Sequence, residues 1–241
     1  MIDLGDTMKI VISPSKTMRS VLVDNQKKCL FHQEKELLLK RLKKYSISEL
    51  EDLYQSSTKI AEENFQRFQG FKEDSLALSS YTGAQFKALD SDTLSASSWQ
   101  FLEENLFVIS GLYGLLRPLD TISLYRLPMN SVLDKPLKDY WKTPISEVLK
   151  DQTIINLASQ EYSEVIDESI PMITIDFYHQ SPNGKRKKPS MEVKKQRGKY
   201  LRYLALKESL SLETLTSYCD DGYTYDQHSS NSHQIIYIKK L

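Results

Sequence analysis

Apolar positions along this chain change period several times, and each change marks an element. Lys9-Ile10-Val11-Ile12-Ser13 is an apolar run closed by Pro14, the pattern of a buried strand. Over 32–69 the spacing turns helical, through Leu37, Leu38, Leu39, Leu42, Leu50, Leu53, Tyr54, Ile60, Ala61, Phe65 and Phe68, and Gly70 closes it. Inside this region Ser46-Ile47-Ser48-Glu49 has capping-box spacing. Residues 97–105 predict a helix and 106–110 a strand; 138–150 predict a helix, and 153–157 and 172–178 strands. Ser181-Pro182-Asn183-Gly184 is a hairpin signal. A basic helix is expected over 194–207, a short one over 212–218 and a last strand over 234–239. Strands dispersed among helices predict an α/β (mixed α+β) fold, a single domain with a mixed sheet flanked by helices. No repeat or linker divides the chain, so the domain is expected to span 8–241, with 1–7 an N-terminal extension.

Composition narrows the class. The 241 residues are 27% charged and 40% hydrophobic, which excludes a disordered or coiled-coil chain. No apolar run approaches the roughly 20 residues of a membrane span, and the acidic start Met1-Ile2-Asp3-Leu4-Gly5-Asp6-Thr7 has no secretory pattern. With only Cys29 and Cys219 there is no disulfide framework, and a cytoplasmic protein without membrane partners is expected. The 32 basic and 32 acidic residues balance, yet not locally. Lys185, Arg186, Lys187, Lys188, Lys194, Lys195, Arg197, Lys199 and Arg202 stand in one stretch with a single acid, Glu192, a local charge of +8.

Three constellations carry candidate chemistry. Ser13-Pro14-Ser15-Lys16-Thr17 leaves the first strand with a Ser-x-x-Lys spacing but without the glycines of a phosphate loop, so Lys16 reads as an anion contact or the segment as a plain strand exit. Tyr113, Arg117, Asp120, Tyr125 and Arg126 bring guanidinium forks and aromatic rings together. They form either a binding pocket, with Tyr113 and Tyr125 stacking, or an Arg117–Asp120 brace of a turn. On the basic helix Lys195, Lys199 and Arg202 share one face at i, i+4 and i+7, suited to following phosphates; a solvated face is the alternative. Glu161 and Asp226 are the carboxylates available for acid–base work. His179, His228 and His233 have no tight ligand spacing, so neither a metal site nor a cofactor is expected. Solitary Cys29 and Cys219 argue against thiol redox chemistry.

Ser13 to Thr17, Tyr81-Thr82-Gly83, Ser110 to Asp120, Tyr125-Arg126-Leu127, Asn156 to Tyr162, Lys194-Lys195-Gln196-Arg197-Gly198, and Gly222-Tyr223 with Asp226 together resemble the YaaA family of peroxide-stress proteins. The resemblance runs from about Met8 to the C-terminus. Ser15 and Gln196 replace the family's usual alanines, and the charged residues stay in place. It implies a cytoplasmic α/β domain with a helix-hairpin-helix-like element and a basic cleft. It further implies that the protein binds DNA, protects it under hydrogen peroxide and limits reactive intracellular iron. On that expectation Lys194, Lys195, Arg197, Lys199 and Arg202 hold phosphates, and Lys16, Arg117 and Arg126 line the cleft. The DNA would be duplex or branched, read by shape and not by sequence. The alternative is an enzyme acting on a glycosidic or phosphate bond of nucleotides or nucleic-acid bases, with Glu161 or Asp226 as acid–base. Oligomeric state is not legible.

Overall fold

The computed structural model describes residues 7–24 and 26–241. In chain order the elements are β1 (Met8–Ile12), α1 (His32–Leu42), α2 (Ile47–Tyr54), α3 (Thr58–Gln69), β2 (Ser75–Leu76), α4 (Ala77–Ser80), α5 (Ala84–Leu89), α6 (Ala96–Asn105), β3 (Leu106–Ser110), β4 (Gly114–Leu116), β5 (Thr121–Ile122), α7 (Leu137–Leu149), β6 (Thr153–Leu157), α8 (Gln160–Ser163), β7 (Met172–Gln180), β8 (Arg186–Lys187), α9 (Ser190–Lys207), α10 (Leu212–Thr216), β9 (Tyr223–Tyr225) and β10 (Gln234–Lys240). Eight strands form one mixed sheet in the order β4-β3-β1-β6-β7-β10-β9, with β8 on β7; β2 and β5 pair separately. β1, β3, β6, β7 and β10 are parallel, and β4, β8 and β9 run against them. Consecutive residues Ile10, Val11 and Ile12 are all fully buried, as a parallel strand covered on both faces requires. This is the α/β domain with a helix-flanked mixed sheet that the pattern predicts.

Local chemistry sets the element ends. The helical stretch 32–69 is three helices, because Ser46 caps α2 through a full capping box with Glu49, and Gln55 takes a left-handed conformation that ends it. The basic helix begins a turn earlier than expected, at Ser190, with Glu192 in its first turn, where the helix dipole favours a carboxylate. Of the expected extension, residues 1–6 lie outside the described residues. Thr7 belongs to the fold, since its hydroxyl donates to the Asp151 carbonyl at 2.8 Å and its carbonyl accepts from Thr153 N–H.

An aromatic cluster fastens α9 to the sheet. Tyr200 and Tyr218 meet Phe177 edge-on, and Tyr237 stacks on it at 5.5 Å. Their hydroxyls are satisfied inside: Tyr200 donates to the Leu215 carbonyl and Tyr218 to Gln196 Oε1, both at 2.8 Å. The glycine Gly198 lets α9 approach α5, where an added Cβ would overlap the Gln85 carbonyl and sit 2.8 Å from Ala88 Cβ. Arg202 donates to the Leu89 and Asp90 carbonyls, so the two helices run in the same direction.

Candidate functional site

The chain leaves β1 to build β3 on one side and later returns to place β6 on the other. The carboxyl ends of β1 and β6 therefore flank the point where strand order reverses, the place where open α/β sheets present a crevice. The segments after these two strands meet there. Ser159 N–H donates to Ser13 Oγ at 2.8 Å, and the two serine hydroxyls share a bond of 3.1 Å. Thr82 N–H donates to the Thr17 carbonyl at 3.0 Å, tying the turn before α5 to the exit from β1. Pro14, Ser15, Lys16, Arg126 and Tyr162 line a hollow of about 20 Å³, room for one water-sized oxygen and not for a base. Lys16 is exposed. Arg126 lies over the Tyr54 ring at 5.6 Å, and its buried Nε has no hydrogen-bond partner.

Behind this crevice the Ser110–Asp120 segment is a tight hairpin built around one hydroxyl. Ser110 Oγ accepts from the Leu112 and Tyr113 amides at 3.2 and 3.0 Å and shares a 2.6 Å bond with the Tyr125 hydroxyl. Tyr125 in turn bonds Tyr81 at 2.8 Å. Burial pushes the Tyr125 phenol up to about 12 and holds Tyr81 and Tyr113 well above the usual range, so the chain of hydroxyls stays neutral. Gly114, at φ +70, turns the chain against Phe31 and Trp141, where a side chain has no room.

The basic stretch forms a second surface. The β7–β8 hairpin carries Lys185 to Lys188, and α9 the rest. Four of the nine cations have carboxylate partners: Arg186 with Asp226 at 3.1 Å, Lys188 with Asp176 at 2.8 Å, Lys199 with Asp220 at 2.7 Å and with Asp221, and Arg202 with Asp90 at 3.7 Å. The other five, Lys185, Lys187, Lys194, Lys195 and Arg197, have no ion pair among the described residues. Burial lowers the Arg197 guanidinium against the opposing pull of Asp176, and its Nε is unpartnered. Since α9 runs along α5 with Gly198 level with Gln85, the preceding turn, which carries Lys194 and Lys195, stands at the Thr82 end. The basic helix and the crevice thus share one end of the molecule.

A sequence model of the family described as "Peroxide stress protein YaaA" matches residues 8–229. This chain belongs to the YaaA family. It is similar to the UPF0246 protein of Finegoldia magna, 33% identical over 242 residues that cover 97% of this chain and 99% of the relative. It is likewise similar to a UPF0246 protein of Fusobacterium nucleatum, 34% identical over 247 residues that cover 97% and 99%. A third relative is a UPF0246 protein of Clostridioides difficile, 32% identical over 249 residues that cover 97% and 100%.

As a YaaA-family chain it divides its sequence-predicted site residues in two. Lys16 and Arg126 line the crevice; exposed Lys194 and Lys195 and half-buried Arg197 have no ion pair among the described residues. Glu161 sits in the segment after β6, and among the described residues it has no ion pair. The other predicted contacts are committed within the protein. The expected Tyr113 stacking group is fully buried, its hydroxyl accepting from Ser123 N–H at 2.9 Å, so neither ring face is open. Tyr125 is 3% exposed and held by two hydroxyls, which closes it to stacking as well. Arg117 is the brace of its turn: its Nε donates to Asp120 Oδ1 and its Nη2 to the Lys28 carbonyl, both at 2.9 Å. Lys199 and Arg202 are engaged by Asp220, Asp221 and Asp90, so the expected Lys195–Lys199–Arg202 stripe is broken after its first member. Asp226 holds Arg186. Sequence reasoning missed the Ser13–Ser159 contact and the Asp partners, because those pairs join distant segments. Among the described residues no helix is long and apolar enough to cross a membrane.

Proposed function

We propose that this chain is a cytoplasmic DNA-binding protein of the peroxide-stress response, which protects DNA and limits reactive intracellular iron. The observation that supports DNA contact is the set of exposed lysines with no ion pair among the described residues, Lys185, Lys187, Lys194 and Lys195, with half-buried Arg197 beside them, at the end of the sheet where Lys16 and Arg126 line the crevice. Carboxylate-paired lysines gain little from a phosphate, because binding must first break a pair; unpaired ones release counterions from the duplex directly. Contacts of this kind follow the backbone, so the preference is for DNA shape, duplex or branched. Lys199, Arg202 and Arg117 position the surface in this reading and do not hold phosphate. The iron-limiting part rests on the family resemblance alone.

Charge reversal tests the surface. Lys194→Glu with Lys195→Glu is expected to weaken duplex binding and to reduce the salt slope of log affinity by about 2, with an unchanged melting temperature. Affinity equal to that of the parent protein overturns the assignment. A second reading, an enzyme on nucleotides or bases, is favoured by one observation: Glu161 follows β6 at the strand-order reversal, beside Tyr162 of the crevice. Turnover of nucleosides or damaged DNA that Glu161→Gln abolishes, with folding intact, supports it.

A further inference from the structure

The DNA-binding reading leaves a second polar cluster unused. His32 and Glu36 lie one turn apart on α1, a spacing that puts both on one face. Glu73 reaches the same point from the segment after α3. A ring nitrogen of His32 and one carboxylate oxygen each of Glu36 and Glu73 lie within 4.8 Å of one another.

Lys35 holds the group from behind. Its side chain is fully buried, and its ammonium donates to Glu36 Oε1 at 2.6 Å and to Glu73 Oε2 at 3.0 Å. Each carboxylate so commits one oxygen and keeps the other. His32 Nδ1 and Glu73 Oε1 are buried with no hydrogen-bond partner. Unpaired buried polar atoms are costly. A nitrogen and a carboxylate oxygen left open in one cluster need a shared partner.

We infer that His32, Glu36 and Glu73 form a binding site for a first-row divalent transition-metal ion, with Lys35 as a cation that competes for the two carboxylates. One imidazole and two carboxylates are a borderline donor set that suits manganese, ferrous iron, cobalt or zinc; calcium prefers an all-oxygen cage and cuprous copper prefers sulfur. A separation of 4.8 Å closes to a coordination sphere by side-chain rotation. Two carboxylates and one ammonium carry a net charge of −1, which a dication reverses. Glu36 is half-exposed, so the ion enters without the core opening, and water completes its coordination. Lys35 neutralises both carboxylates and so competes with the ion for them. This site stands apart from the basic surface and does not depend on the DNA-binding reading.

The metal-free full-length chain is titrated with Co(II), whose visible spectrum reports nitrogen and oxygen coordination, and with Mn(II) by calorimetry. One ion per chain and a rise in melting temperature are expected. His32→Ala and Glu73→Gln should each lower affinity at least about tenfold, whereas His228→Ala, at an exposed position outside the cluster, should leave it unchanged. Lys35→Met removes the competing ammonium, so affinity should rise and added Co(II) should restore the stability lost. Absence of saturable binding, or binding that His32→Ala and Glu73→Gln leave intact, overturns the assignment. A folded Lys35→Met protein whose melting temperature ignores Co(II) overturns it too. The His32→Ala comparison decides the matter even where Lys35→Met does not fold.

Discussion

Asp120 is fully buried, and burial raises its carboxyl above the usual range while the Arg117 side chain and amide pull it down. The pair is worth little as a surface ornament and much as a brace, because removing one partner leaves a buried charge alone. Arg117→Ala is expected to destabilise the protein by about 3–5 kcal/mol in urea denaturation, with DNA affinity of the folded fraction unchanged. A stable variant with weak DNA binding would reassign Arg117 to the interface. Cys29 gives a second residue-scale prediction. Burial pushes its thiol up to about 11, with Glu73 adding to the shift. A thiol whose folded pKa is raised stays protonated as pH rises through its ordinary value, so at pH 8 it is a poor nucleophile. Iodoacetamide at pH 8 should label exposed Cys219 in the native protein and Cys29 only after unfolding. Mass spectrometry reads both sites, and rapid native labelling of Cys29 contradicts this.

At the scale of elements, the parallel contact of α5 with α9 sets where the basic helix lies. Gly198 makes that contact possible, so Gly198→Ala should force the helices apart at a cost of about 3 kcal/mol, measurable as a lower urea midpoint. An unchanged midpoint would mean the interface relaxes freely. Much at this scale was legible in sequence: the Lys9–Ser13 run, the capping box at Ser46 and the strand 153–157 all appear where pattern and capping chemistry put them. Those signals are local. The return of Gly114–Leu116 onto β3 was not legible, because its three residues have no period to read. Nor were the partners of Lys188, Lys199 and Arg202, since charge counting along a chain sees the lysines of one segment and not the aspartates folded against them. The same blindness leaves Tyr113 readable as a stacking group. An aromatic beside glycine and arginine looks like a stacking group until the core closes over it. Half of the metal cluster did carry a signal, His32 and Glu36 one helical turn apart, but Glu73 joins only through the tertiary fold.

Over the whole molecule, a chain of zero net charge separates its charge in space. Aspartates neutralise four of nine cations in the basic stretch, and Lys185, Lys187, Lys194 and Lys195 are exposed with no ion pair among the described residues. The partition matters because the long-range field of the protein, not its pI, governs the approach of a polyanion. The most direct test is fluorescence anisotropy of labelled duplex and four-way-junction DNA, titrated with the protein between about 50 and 300 mM salt. With those four exposed lysines engaged, log affinity should fall with log salt at a slope of about −4, and the two DNA shapes should differ in affinity. Binding that is absent, or that holds constant across the salt range, would contradict the central claim and make the basic stretch a solvated face.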